Sequence, residues 1–223
     1  HVLEGNAVAG IQGEAVAWDA DLVAMTTHGR GGLARAWLGS VSDRFIRATD
    51  RPVLVLRPPD AERPSADTPA VDKIVVPVDG SEVAETAIPL GHDLARDLGV
   101  PLVLVRSVMP TGPVGFANLP ELAAMSREID EDARERASEY LKDLVLRTRS
   151  TLVHPSASLL SDVDPAAAIL SQSAGGLVVM TPPGRTGLDR IVIGSVADKV
   201  VRASPSPVLV IPARARARAP DAP

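Results

Sequence analysis

The chain has 223 residues, of which 45% are hydrophobic and only 2% aromatic, so its core must be filled by alanine, valine, leucine and isoleucine. Its net charge of −5 comes from 28 acidic and 23 basic residues mixed along the chain, which excludes the basic footprint of a nucleic-acid-binding protein. The absence of cysteine excludes disulfides and thiolate metal sites, and with no signal peptide or membrane-spanning run in view we expect a cytoplasmic protein.

The first 57 residues predict the end of an α/β unit. Apolar periodicity and β-branched runs predict, in chain order, a helix over 7–18, a strand over 22–26, a helix over 40–48 and a strand over 53–56. Residues 58–70 then combine four prolines with charged and small residues, which predicts an extended linker.

A complete set of alternating strands and helices follows the linker. Ser81 is the expected N-cap of a helix that ends before Gly99 and is kinked at Pro89. Residues 213–223 are expected to form a disordered tail. Strands are predicted over 73–78, 101–108, 152–157, 177–181 and 207–211, and the remaining helices over 121–149, 165–173 and 195–203.

This alternation predicts the fold class, an α/β protein with helices on both faces of a doubly wound, five-stranded parallel sheet. We predict one complete domain over residues 71–212, the second unit, and the C-terminal half of another over residues 1–57, the first unit. The sequence would then open partway through its first copy, without three strands and two helices of that copy.

The two units are copies of each other. Residues 21–57 align without a gap on residues 176–212, at an offset of 155 residues, and 19 of the 37 aligned positions are identical. Because two glycine spacings and a closing strand are preserved together, the shared residues should mark the function of the unit.

Each unit places a glycine-bearing loop between a buried strand and a helix. A helix that begins at the carboxyl end of parallel strands offers unpaired amide groups to phosphate, and glycines let the backbone approach it. Ser40 and Ser195 are expected either to cap their helices or to add a hydroxyl to a phosphate. Nine residues separate Gly29 from Gly39-Ser40 in the first unit, and Gly184 from Gly194-Ser195-Val196 in the second.

This loop resembles the nucleotide loop of the universal stress protein family, whose motif is Gly, two residues, Gly, nine residues, then Gly-Ser or Gly-Thr. The opening run Val76-Pro77-Val78-Asp79-Gly80-Ser81 and the closing Pro-Val-Leu-Val strand are similar to the family as well. The resemblance covers residues 71–212 as a whole domain and 1–57 as the back half of another. It implies an ATP-binding regulatory module of the stress response, in which Mg²⁺ can accompany the nucleotide.

The resemblance also implies which residues form the site. Adenine and ribose contacts fall to Asp79, Ser107 and Met180, and phosphate contacts to Gly184, Arg185, Gly194, Ser195 and Val196. Pro77, Val78 and Thr181 complete the predicted nucleotide-binding set. The corresponding positions of the first unit are Gly29, Gly39 and Ser40. The strand that would carry the counterpart of Asp79 does not occur in that unit, so its site should be incomplete.

Two departures from the motif leave an alternative open. The first glycine of the motif is Thr26 in the first unit and Thr181 in the second, and Pro182 and Pro183 remove two amide donors from the second loop. The alternative is a dimerisation or interaction module of the same family that binds no nucleotide.

No catalytic constellation emerges from the sequence. Asp79 follows a strand and precedes Gly-Ser, a pattern more typical of ribose binding or turn capping than of a general base. The histidines His28, His92 and His154 are widely separated and have no carboxylate at metal-ligand spacing, so we predict no metal site. At most, the resemblance implies slow ATP hydrolysis or autophosphorylation.

The resemblance further implies an assembly. Members of the family pair through their last strands, so residues 207–211 should meet residues 53–56 of this chain or of another copy. The strand over 22–26 would keep an open apolar edge, which favours self-association into a homo-oligomer. We expect no nucleic-acid partner and no membrane partner.

Overall fold

The structure, a computed structural model, describes residues 1–2, 4–26, 39–56, 71–111, 120–182 and 194–212. Over these residues the α/β class is confirmed. The helices are α1 (Ala7–Ala17), α2 (Ser40–Ala48), α3 (Glu82–Glu85), α4 (Ile88–Leu98), α5 (Pro120–Thr148), α6 (Pro165–Ser173) and α7 (Ser195–Ala203). The strands are β1 (Val23–Thr26), β2 (Val53–Leu56), β3 (Ile74–Pro77), β4 (Leu102–Val108), β5 (Ser156–Ser161), β6 (Leu177–Met180) and β7 (Val208–Val210).

The strands form one seven-stranded sheet in the order β1-β2-β7-β6-β3-β4-β5. Five of them, from β7 to β5, come from the second unit and are parallel to each other, as predicted for that unit. The first unit adds β1 and β2, and β2 pairs with β7 in antiparallel orientation. The predicted count of five is therefore wrong for the whole sheet, because the two units share it.

Two apolar cores cover the two faces of the sheet. Alternate side chains of a strand point to opposite faces, so Val75 of β3 joins one core while Ile74 and Val76 join the other. The first core packs the sheet against α2, α6 and α7, with α1 at its margin. The second core packs it against α4 and α5. Burial on both faces explains the near-continuous Val/Ile/Leu runs of the central strands.

A local two-fold axis relates the two units. In the β2–β7 ladder Leu54 lies opposite Leu209, Val53 opposite Val210 and Val55 opposite Val208. Leu54 and Leu209 are equivalent at the 155-residue offset, so the axis passes between them. The contact predicted between the last strands is present here within one chain.

Helices α2 and α7 cross this axis with a four-membered ion-pair network. Arg47 bonds Asp43 of its own helix at 3.1 Å and reaches Asp198 of α7 at 3.4 Å, measured from Nη2 to Oδ1. Arg202 bonds Asp198 at 2.8 Å and reaches Asp43 at 3.1 Å. Asp43 and Asp198, like Arg47 and Arg202, are equivalent residues of the two units, so the network repeats the two-fold relation seen in the strands.

Where the sequence predicted one kinked helix after Ser81, the structure has two helices. The amides of Thr86 and Ala87 bond to Val83 and Ala84, three residues back, which closes α3 with a tight turn. Pro89 lies in the first turn of α4, where its missing N–H group costs no helical hydrogen bond. The proline therefore marks the start of a helix and does not kink one.

The third strand of the second unit was predicted four residues too early. It runs over Ser156–Ser161, and Leu152, which suggested a strand at 152–157, has an exposed fraction of 74%. The Ser150 hydroxyl accepts a hydrogen bond from the Val153 amide at 3.1 Å and so forms a turn after α5. Pro155 follows, and a proline cannot donate to a ladder.

Several predicted features lie outside the described residues, namely the linker over 58–70 and the tail over 213–223. Within the described residues, none of the helices is long and apolar enough to cross a membrane.

Candidate functional site

The switch point of the sheet, where open α/β sheets have their ligand crevice, lies between the carboxyl ends of β3 and β6. The chain leaves β3 toward β4 and β5 on one side, whereas β6 and β7 lie on the other, so the strand order reverses between β3 and β6. Ligands of open α/β sheets bind at such switch points. The β3–β6 ladder pairs Ile74 with Leu177 and Val75 with Val178, and does not continue to the strand ends.

Pro77 explains why this ladder stops. The amides of Ile74 and Val78 donate to β4, to Pro101 O and Val105 O, each at 2.8 Å. Because amides alternate between the two sides of a strand, the nitrogen of residue 77 faces β6. Proline has no hydrogen on that nitrogen, so β3 cannot extend the ladder there and the ends of β3 and β6 stay unpaired with each other.

Three of the predicted contact residues share one face of the sheet at this crevice. Met180 is buried in the first core, and Pro77 and Ser107 face the same way because they alternate with Val76 and Arg106. The Ser107 Oγ atom is buried and has no hydrogen-bond partner. Buried hydroxyls are normally bonded, so this oxygen is a ready partner for a polar atom of a ligand. Val78 belongs instead to the second core, on the opposite face.

The loop after β3 is held by its own side chains. Asp79 Oδ1 accepts a hydrogen bond from the Ser81 amide at 2.9 Å, and Ser81 Oγ accepts one from the Ala84 amide at 3.2 Å, so the predicted N-cap is confirmed. Gly80 has φ +94°, and a Cβ there would lie 3.3 Å from Arg106 Nη1. Asp79 is exposed, and it caps this turn, one of the two roles that its pattern suggested.

Helix α7 begins with an uncapped N-terminus. Gly194 is the N-cap residue and makes no side-chain cap, and Ser195, the first helical residue, is exposed. The same holds for Gly39 and Ser40 at α2. Of the two roles expected of these serines, capping is therefore excluded, since a residue inside the helix cannot act as its N-cap. By contrast, α1, α3 and α6 carry side-chain caps.

The threonine at the first glycine position of the motif is buried against α3. Thr181 has an exposed fraction of 4%, and its Oγ1 lies 2.9 Å from Oγ1 of Thr86, the C-cap residue of α3. Thr181 alternates with Met180, so its side chain faces the second core, away from Ser107. No sequence signal pointed to Thr86, because this contact joins residues 95 positions apart.

The structure thus brings most of the predicted residues of the second unit to one edge of the sheet. Because β6, α7 and β7 form a parallel crossover, α7 begins at the carboxyl edge that β3, β4 and β6 also reach. Val196 packs against the first core from the first turn of α7. Gly29, Gly184 and Arg185 lie outside the described residues. These site assignments remain predictions.

The first unit lacks this arrangement in the part of it that the structure describes. β1 pairs with β2 and lies at the end of the sheet, so no strand stands where β3 stands beside β6. Gly39 and Ser40 consequently have no neighbouring residue equivalent to Asp79. Across the described ranges of both units, no group of three or more histidine or acidic residues is placed to hold a metal ion.

Comparison with known proteins gives concordant matches. A family model described as the universal stress protein family matches residues 1–57 and 70–212. The universal stress protein Rv2005c of Mycobacterium tuberculosis is 33% identical over 193 residues, which cover 86% of this chain and 62% of that protein. The chain thus spans about three fifths of the length of this curated relative.

Solved structures show the same fold. A universal stress protein from Archaeoglobus fulgidus superimposes with a TM-score of 0.59 at 19% identity, covering 92% of this chain and 66% of its own. The protein UspA from Lactobacillus plantarum has a TM-score of 0.54 at 19% identity, covering 65% of this chain and 99% of its own.

Proposed function

Given that the chain belongs to the universal stress protein family, we propose that its second unit binds an adenine nucleotide, ATP, and acts as a nucleotide-responsive regulatory module in the stress response. The nucleotide would lie in the crevice between β3 and β6, with its base and ribose toward β4 and its phosphates toward α7.

The buried, unpartnered hydroxyl of Ser107 is the observation that carries this proposal. Leaving a buried hydroxyl without a hydrogen bond costs about 1–3 kcal/mol. That cost is removed when a ligand supplies the partner, and the nitrogen atoms of a nucleotide base can do so. Ser107 shares its face with Met180 and Pro77, whose apolar atoms suit the flat surface of adenine.

The uncapped N-terminus of α7 suits the phosphates. Its first-turn amides carry partial positive charge from the helix dipole, and Gly194 brings no side chain that would compete for them. In this proposal Ser195 and Val196 donate their amides, Arg185 and Gly184 complete the cradle, and Mg²⁺ accompanies the triphosphate. Bound ATP would bring negative charge to the N-terminus of α7 and its base to the face that carries Ser107.

We assign the module binding and not turnover. Asp79 is the carboxylate nearest the proposed ribose position, and its Oδ1 already accepts the Ser81 amide. The crevice residues that the structure describes include no hydroxyl nucleophile hydrogen-bonded to a base. Occupancy of the crevice would act by altering contacts with partner proteins, and any hydrolysis would be slow.

Thermal melting with ATP and Mg²⁺ tests the proposal. A ligand that binds the folded state raises stability by RT ln(1 + [L]/Kd), about 2.7 kcal/mol at a hundredfold excess over Kd. We expect the melting temperature to rise with millimolar ATP. Gly194→Asp should abolish the rise, because a carboxylate at the N-cap takes the amides that phosphate would use and repels its charge.

Gly39→Asp is the matched control. Both glycines have negative φ, −57° at Gly39 and −62° at Gly194, so aspartate fits either backbone without strain. Gly39→Asp should leave the ATP-induced rise intact. A wild-type protein that does not respond to millimolar ATP would overturn the proposal, and an equal response from Gly194→Asp would place the nucleotide elsewhere.

The second candidate is an interaction module that binds no nucleotide. It is favoured by Thr181 and Pro182, which are buried where the family motif has glycine and an amide donor. The β2–β7 contact shows that the outer strand of the second unit accepts a partner strand. This candidate would be supported if ATP left the melting temperature unchanged while the protein still bound a separate copy of its second unit.

A further inference from the structure

We propose that the hydroxyl pair Thr86–Thr181, here called the clasp, fixes the width of the crevice and so positions the two halves of the nucleotide site. This inference rests on the proposed function. It makes Thr86 a positioning residue and gives the threonine at the first glycine position of the motif a role of its own.

The hydrogen atoms of the clasp have defined directions. Thr86 Oγ1 lies 2.7 Å from Val83 O, a carbonyl that can only accept, so the single hydroxyl hydrogen of Thr86 points there. The 2.9 Å contact between the two hydroxyls must then use the hydrogen of Thr181. Thr181 donates, Thr86 accepts, and both side chains are held in one orientation.

One end of the clasp is joined to the proposed ribose half. A continuous series of hydrogen bonds runs from Asp79 to the Ser81 amide, from Ser81 to the amides of Ala84 and Glu85, and from Val83 to the amide of Thr86. Local hydrogen bonds therefore join residues 79–86 into one segment. Fixing Thr86 fixes the loop that carries Asp79.

The other end is joined to the proposed phosphate half. Thr181 directly follows Met180, whose carbonyl accepts the Ile211 amide at 2.9 Å, and it begins the connection to Gly194. Its side chain lies on the face opposite Ser107, so it does not fill the half of the crevice where the base would lie. The threonine thus need not obstruct the nucleotide.

The clasp spans the gap that Pro77 creates. The β3–β6 ladder ends at Val75 and Val178, so no ladder pairing joins the ends of these two strands. Of the hydrogen bonds among described residues, Thr86–Thr181 is the one that crosses from the β3–α3 segment to the end of β6. Without it, nothing polar among those residues sets the separation of the two sides.

The first unit provides an internal contrast. Thr26 is the counterpart of Thr181, yet it is exposed, and its carbonyl accepts the Ser42 hydroxyl at 3.4 Å. No segment equivalent to α3 lies beside it among the described residues. The same residue therefore forms a clasp in one unit and not in the other.

Calorimetric titration of six variants with ATP and with adenosine tests the clasp. Thr86→Val and Thr181→Val keep side-chain shape but remove a hydroxyl, and each should weaken ATP binding about fivefold, the worth of one neutral hydrogen bond. Adenosine contacts one half of the site and should bind with nearly unchanged Kd. The double variant should be no weaker than either single variant, and Thr181→Ser should bind like wild type.

Thr181→Gly distinguishes a threonine that supports ATP binding through the clasp from a threonine that obstructs ATP. It restores the glycine of the motif, so an obstructing threonine predicts tighter ATP binding, and a clasp predicts weaker binding. Tighter binding, unchanged ATP affinity in Thr86→Val, or equal losses for ATP and adenosine would each overturn the inference. Thr86→Ser serves as the folded control. No nucleotide binding by the wild-type protein would instead overturn the proposed function, and the inference with it.

Discussion

Tyr140 ties three elements together beside the crevice. Its hydroxyl donates to Glu85 Oε1 of α3 at 2.9 Å, and the guanidinium of Arg106, on β4, lies 4.8 Å from the centre of its ring. Glu85 also accepts Arg147 Nη1 at 3.4 Å. The residue thus links α5 to the segment that carries Asp79, and it stacks a cation on an aromatic face.

Alkaline titration should report this environment. Burial, and then the hydrogen bond to Glu85, raises the pKa of Tyr140 above its ordinary value. A tyrosine whose pKa is higher in the folded than in the unfolded protein contributes stability at pH values below its unfolded pKa, about 10. That contribution is lost as the pH rises through the pKa of the folded protein. Because the chain has one tyrosine, tyrosinate absorbance should appear at higher pH in the folded protein than in urea.

Two variants control the measurement. Glu85→Gln should lower the ionisation midpoint of the folded protein while burial of the ring persists. Tyr140→Phe should keep the Arg106 stacking and cost about 1 kcal/mol of unfolding free energy at neutral pH, the usual value of one hydrogen bond. Ionisation of Tyr140 at the same pH in folded and unfolded protein would contradict the prediction.

Sequence reasoning at this scale succeeded where chemistry is local. Ser81 caps α3 and Gly99 ends α4 with φ +66°, both as predicted, because caps depend on neighbouring residues. It failed at Ser40 and Ser195, where glycine took the N-cap position. It could not find Thr86 or the Tyr140 contacts, which join residues far apart in the chain.

At the scale of elements, the α2–α7 network should contribute to stability as a unit. Its four side chains are about three quarters shielded, with exposed fractions of 24–31%, and each arginine serves two carboxylates. The hydrogen bond to Asp198 raises the pKa of Arg202, so the pairing favours its charge. We expect Asp198→Asn to lower the unfolding free energy by about 1 kcal/mol, and less at high salt.

Arg136→Ala is the comparison for this network. Arg136 and Asp132 form an exposed pair on α5, four residues apart, and such pairs contribute about 0.3–0.5 kcal/mol. In a double-mutant cycle, Asp43→Asn and Asp198→Asn should cost less together than the sum of their separate effects. Additive losses in urea unfolding would show that the two units are not coupled through these charges.

Elements with a strong apolar pattern were predicted closely. The helices α2, α6 and α7 begin and end at the predicted residues, since each has clear breakers at both ends. β5 was misplaced because its exposed edge position weakens the apolar signal: its burial is low at Ser156, Ala157 and Ser161. The division of α3 from α4 depends on a tight turn that periodicity alone does not reveal.

At the scale of the whole molecule, β1 is an edge strand of the sheet. Among the described residues it pairs with β2 alone, Ala24 and Thr26 are exposed, and Leu22 beside it has an exposed fraction of 42%. Unpaired apolar edges recruit other strands. We expect concentration-dependent self-association by light scattering, and we expect Ala24→Lys to reduce it, because lysine on an edge strand opposes pairing.

Ala157→Lys controls for added charge. Ala157 is exposed on β5, the opposite edge strand, which α5 packs against with a 2.9 Å bond from Arg134 to Ser161. This substitution should leave association unchanged. A wild-type protein that stays monomeric over the whole concentration range would contradict the prediction.

The sequence repeat predicted much of this architecture. The 155-residue offset indicated two related units, and the resemblance built on it led to the contact between last strands. It did not indicate that both units would continue a single sheet, because the joining of β2 to β7 depends on which edges remain free in three dimensions. A phosphate site at the carboxyl ends of the strands was predicted from the glycine loop. The separation of the ends of β3 and β6 depends on Pro77, whose role is visible only once the alternation of β3 amides is known.

The axis between Leu54 and Leu209 has an evolutionary consequence. In a dimer of identical, separate subunits, a residue on the two-fold axis contacts the same residue of the other subunit. A substitution there changes both sides of the contact at once, so the new side chain must pack against its own copy. Joining the copies in one polypeptide releases that constraint, and each side can change alone to complement the other. Divergence such as Arg51 against Ser206 becomes accessible, and one copy is free to specialise while the other keeps the contact.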